Sequence, residues 1–73
     1  MNEGKIERLN DALKNKEYLK LIFIYPDTKP IFRKGYVNSV SSDSFEFEDR
    51  YDGALILGYT YLETIEGLIG DKE

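Results

Sequence analysis

The spacing of apolar residues changes once along the chain, from three and four residues near the start to two through most of the remainder. Ile6, Leu9, Leu13 and, more weakly, Ala12 fall on one stripe, with Glu7, Arg8, Asn10, Asp11 and Lys14 around the rest. That period predicts an amphipathic helix over about residues 5–15. Asn2 or Gly4 can cap its start, and the Asn15-Lys16 pair suits its end. A single helix with so narrow an apolar stripe needs a partner surface, so it should lie across an open end or face of the remaining chain.

From Tyr18 onward the chain reads as five short strands. In Tyr18 to Tyr25, Leu19, Leu21, Phe23 and Tyr25 alternate with Lys20, Ile22 and Ile24, and the second half is apolar on both faces. Pro26-Asp27 ends the ladder, since proline has no N–H to donate, and Thr28-Lys29-Pro30 completes a hairpin loop. The second strand, Ile31 to Val40, contains Gly35, and a glycine inside a strand marks a bend, a bulge or a close backbone approach. Ser41-Ser42-Asp43 turns the chain into Ser44 to Asp49, where Phe45 and Phe47 face in and Glu46 and Glu48 face out. An Asp52-Gly53 turn leads to Ala54 to Tyr59, and a short corner around Thr60 leads to Tyr61 to Glu66. The expected architecture is mainly β. An N-terminal α-helix is followed by a five-stranded, strongly bent antiparallel SH3-like barrel, closed on itself, in one domain over 1–73 with the barrel at about 18–66 and a polar tail at 67–73.

Composition narrows the chemistry. With 73 residues, stability is marginal unless something supplements the core, and oligomerisation is one such supplement. Cysteine and histidine are both absent, which excludes disulfides and Cys/His zinc sites. No apolar run approaches the ~20 residues that cross a bilayer, and the N-terminus lacks the apolar core of a secretion signal, so a cytoplasmic protein is expected. The net charge of −4 disfavours nucleic-acid binding unless cations gather on one face. The only weakly basic window is Lys29 to Lys34, for which a solvated hairpin rim is the preferred reading. Glu46, Glu48, Asp49 and Asp52 lack the spacing of a calcium loop and suit a solvated face. No nucleophile has a base beside it and no glycine loop cradles a phosphate, so neither enzyme nor cofactor is expected.

Some of these residues resemble a known pattern. The helix and five-strand order, Gly35 at the bend of the second strand, Asp43-Ser44-Phe45 opening the third, and Gly58-Tyr59-Thr60-Tyr61-Leu62-Glu63-Thr64-Ile65 joining the last two are similar to the Sm-like family, especially its Hfq-like branch. The resemblance implies a ring in which strand four of one subunit pairs with strand five of the next, and single-stranded RNA as ligand. Several letters depart from it. Thr60 and Tyr61 stand where the Hfq-like branch has lysine and histidine, Ser44 stands in place of its glutamine, about two extra residues lie between Gly35 and Asp43, and the arginine-glycine signature of strand five is missing.

Two functional readings are open. In the first, a homo-oligomer binds single-stranded RNA by stacking on Phe45, Tyr59 and Tyr61, with Arg33, Lys34 and Arg50 meeting phosphates. In the second, the barrel is a protein-interaction or regulatory module that uses its acidic, tyrosine-bearing surface and a free sheet edge. Of the six tyrosines, Tyr51 lies in a turn and is expected to be the most exposed. Leu55, Leu57, Tyr59 and Leu62 either fill the barrel or form the margin between subunits.

Overall fold

The computed structural model of the protein describes residues 2–68. Helix α1 (Glu3–Asn15) precedes strands β1 (Leu19–Phe23), β2 (Ile31–Val40), β3 (Ser44–Asp49), β4 (Gly53–Gly58) and β5 (Leu62–Gly67). The fold is mainly β, with a helix followed by a strongly bent, five-stranded antiparallel sheet in the order β4-β3-β2-β1-β5. Element boundaries shift from those read in the sequence. β1 is shorter, Tyr59 and Tyr61 leave the strands for the turn between β4 and β5, and β5 extends through Gly67 into the span assigned to the tail. Leu68 then donates its N–H to the Tyr18 carbonyl at 2.9 Å, and the rest of the expected tail lies outside the described residues.

Helix α1 is held at its C-terminus rather than by a side chain at its start. Asn2 makes no side-chain capping bond, and only its carbonyl takes part, accepting the Ile6 N–H at 2.9 Å. At the other end Lys16 adopts a left-handed conformation, φ 54°. This lets the Lys16 and Glu17 N–H groups return to the Leu13 and Ala12 carbonyls at 3.3 and 2.9 Å. Arg8 reaches across that turn and donates two hydrogen bonds to Glu17, at 3.2 and 3.0 Å. That pairing draws the Glu17 carboxyl below its usual range. The apolar stripe packs on β2 and β5, burying Leu9 and Ala12 completely.

The bend is a consequence of chain length. Strands lie ~4.8 Å apart, so in a flat sheet the first and fifth would be separated by about 19 Å. The link from Gly58 to Leu62 is four residue steps, which reach at most about 14 Å. Because β4 and β5 are the two outer strands and are joined by that short link, the sheet has to curl. It does not zip shut, however. The two outer strands share no ladder, which corrects the expectation of a closed barrel, and among the described residues both keep one hydrogen-bonding edge unpaired.

Three local devices produce the curl. Asn38 is an extra residue in β2, between the Val37–Phe47 and Ser39–Glu46 pairs, and Glu63 is an extra residue in β5, between the Ile22–Thr64 and Phe23–Leu62 pairs. The third is Gly35, where β2 changes partners. Residues 31–35 pair with β1 and residues 35–40 with β3, so Gly35 faces Leu19 on one side and Asp49 on the other. A Cβ there would fall on the Glu48 carbonyl oxygen, far inside van der Waals contact. The core fills the concave side, with Leu19, Leu21 and Phe23 from β1 meeting Phe45 and Phe47 from β3. Gly35→Ala must push β2 and β3 apart, and should lower unfolding free energy by about 3 kcal/mol, the upper range for an overpacked site. Urea denaturation of the variant checks this, whereas Gly58→Ala, with open space around its position, should change little by comparison.

Candidate functional site

The six residues expected to meet RNA do not form one site. Phe45 and Tyr59 are core side chains, each 2% exposed, and they stack on one another with ring centroids 5.4 Å apart. The Tyr59 hydroxyl donates into the turn before β3, where the carbonyls of Ser41 and Ser44 lie at 2.5 and 3.0 Å. Lys5 of the helix donates to the Tyr59 carbonyl at 2.7 Å. Neither ring can offer a face to a base without unpacking the core, so stacking on Phe45 and Tyr59 is corrected to a structural role. Tyr61 lies in the β4–β5 turn, half-exposed, with its ring against Tyr25 at 4.9 Å.

Arg33, Lys34 and Arg50, by contrast, line one cleft of about 290 Å³ together with Phe32, Tyr51 and Asp52, and Asp49 forms its floor. The cleft exists because β3 ends at Asp49, opposite Gly35, while β2 continues back to Ile31. The β2 edge at residues 31–34 therefore has no strand beside it on that side. The turn after β3 covers only part of it, through the Arg50 N–H donated to the Lys34 carbonyl at 2.9 Å.

Charge orders this turn. Asp49 is buried, and one of its carboxylate oxygens accepts the N–H groups of both Tyr51 and Asp52 at 3.0 Å. Its other oxygen lies 3.6 Å from Arg33, which also donates to Asp52 at 3.1 Å. A buried carboxylate is tolerated when it is paired and hydrogen-bonded, and Asp49 is both. Arg33 is thereby held by two acids, whereas among the described residues Lys34 and Arg50 of the cleft form no ion pair.

Two aromatic rings complete the site. Phe32 is 57% exposed with the Lys20 ammonium 5.0 Å from its ring centre, and Tyr51 is 83% exposed with the Arg50 guanidinium at 5.2 Å. Tyr51 is the exposed turn tyrosine that its position suggests. Phe32 carries a weaker signal. It lies two residues from Lys34 and so shares its strand face, and Lys20 pairs directly with Lys34 across the ladder. The acidic residues separate into two places, with Glu46 and Glu48 receiving the Asn38 side-chain amide at 3.5 and 3.1 Å on the outer face of the sheet, away from Asp49 and Asp52.

Comparison with protein-family models, with curated proteins and with solved structures finds no match to the chain. Among the described residues no helix is long and apolar enough to cross a membrane.

Burial raises the Tyr59 hydroxyl above its ordinary pKa of 10.0, opposed by the hydrogen bond to Ser41 and reinforced by Asp43. The folded state therefore favours the neutral phenol. Its contribution to stability is complete below about pH 10, the unfolded value, and is lost as pH rises through the higher folded value. Spectrophotometric titration should show a phenol ionising above the ordinary tyrosine range, and Tyr59→Phe should remove that component. The same variant should cost about 1 kcal/mol in stability through the lost hydrogen bonds.

Proposed function

We propose that the chain is an Sm-like, Hfq-like protein of the cytoplasm that assembles with copies of itself and binds single-stranded RNA. The observation that carries this reading is the convergence of Arg33, Lys34 and Arg50 in one cleft with two solvent-exposed rings. Cations that track a backbone and aromatic faces that stack on bases are the two components of sequence-tolerant single-strand binding. Phe32 and Tyr51 take the stacking role, while Lys34 and Arg50 meet phosphates. Gly35 at the partner change and the strand order support the family resemblance. Assembly through strands β4 and β5 is supported by the two unpaired sheet edges and by Ile56, 71% exposed on β4.

A second reading keeps the fold and replaces the ligand with a protein partner. It is favoured by the net charge of −4 and by the two carboxylates that hold Arg33. Salt separates the two readings. With two phosphates engaged, affinity for a uridine- or adenine-rich oligomer should fall by about sevenfold between 50 and 200 mM salt. Lys34→Glu combined with Arg50→Glu should abolish that binding. Absence of binding at low ionic strength, or binding that ignores salt, leaves the protein-partner reading standing. Light scattering should give a mass several times that of one chain, and a species that stays monomeric at high concentration would remove the assembly.

A further inference from the structure

The cleft contains two carboxylates where a site that only tracked phosphates would have none. Asp49 is consumed by the turn it holds, but the Asp52 side chain is 59% exposed and lies beside the Arg33 guanidinium at 3.1 Å. From this geometry we infer that the Arg33–Asp52 pair reads guanine, an inference that rests on the RNA-binding reading above.

The argument is one of matching donors and acceptors. A carboxylate only accepts hydrogen bonds and a guanidinium only donates them, so the pair presents a donor next to an acceptor. Guanine's Watson–Crick edge carries the O6 acceptor and then two donors, N1–H and N2–H₂. Arg33 can donate to O6 while Asp52 accepts from N1–H and N2–H₂, as a paired cytosine would. Only guanine offers the carboxylate two adjacent donors. Uracil places its single N3–H between two carbonyl oxygens that a carboxylate repels. Adenine offers one amino donor beside the bare N1, and cytosine one amino donor beside two acceptors. Single-stranded bases expose this edge, and proteins read it while stacking the ring on an aromatic side chain. Tyr51, adjacent in the chain and 83% exposed, supplies that ring.

The arrangement is also fixed before any ligand arrives. Asp49 accepts the N–H groups of Tyr51 and Asp52, which sets the turn, and Arg33 is 25% exposed at its side chain and tied to both acids. Asp52 lies before Gly53, whose φ of +77° makes the turn, and asparagine suits that position as well as aspartate. Asp52→Asn therefore changes the hydrogen-bonding character of the carboxylate with little demand on the backbone.

The test uses fluorescence anisotropy at low ionic strength with labelled RNA decamers of uridine in which one central position is guanosine, inosine, adenosine, cytidine or uridine. Wild-type protein should prefer the guanosine decamer by about tenfold, the discrimination of one well-made bidentate contact, and inosine, which lacks N2–H₂, should lose part of that gain. Asp52→Asn, shown to be folded by circular dichroism, should bind all five within about twofold of one another, since the bidentate contact is gone. Equal binding of all five decamers by wild type, or a guanosine preference that survives Asp52→Asn, overturns the assignment and leaves RNA binding intact. Failure of every decamer to bind removes the RNA reading and this inference together.

Discussion

Where β2 passes from β1 to β3, two backbones approach so closely that no side chain fits between them, and the rest of the molecule is arranged around that contact. Gly35 is the pivot. It lets one ten-residue strand serve two ladders, and so turns a five-stranded sheet into a roll with an inside. The inside is where Leu19, Leu21, Phe23, Phe45 and Phe47 exclude water. The pivot also determines where the third strand stops, and hence where the second strand's edge is left bare. The cleft is thus a by-product of the bend, furnished by the side chains of residues 31–34 and of the turn after β3.

Two polar side chains of this small core each organise a turn. The Tyr59 hydroxyl anchors the loop before β3, and the Asp49 carboxylate anchors the loop after it. β3 is consequently gripped at both ends by a side chain that reaches into loop backbone. Such groups are costly to bury without partners, so their satisfaction also selects one register for the strand. The rigidity of the cleft comes from the second of these anchors.

Much of this architecture is legible in the residues because local signals agree with the fold. The period-two alternation in Ser44 to Asp49, the Asp52-Gly53 turn and the isolated Gly35 each depend on backbone rules that act over a few positions. The helix is equally legible from Ile6, Leu9, Ala12 and Leu13, although its αL ending at Lys16 is not, since glycine rather than lysine is the usual residue there. The candidate site is only half legible. Arg33 and Lys34 lie in a basic window, but Arg50 joins them only through the pairing of Gly35 with Asp49, a long-range fact. Phe45 and Tyr59 mislead because an aromatic residue at a strand position has the same letter whether its ring faces a ligand or a core. Closure is not legible either, because turn spacing reports that a sheet must curl and says nothing about whether its last edges meet.

One further consequence lies in the order of the strands. Three of the ladders join segments that are neighbours in sequence, whereas β1 and β5 pair across almost the whole length of the sheet region. The meander from β1 to β4 can therefore form through short loops, while the β1–β5 ladder has to wait for the largest loss of chain entropy in the fold. Until that ladder forms, β1 has an open margin and α1 lacks part of its seat. The meeting of the final strand with the first is accordingly the step that contact order expects to limit folding.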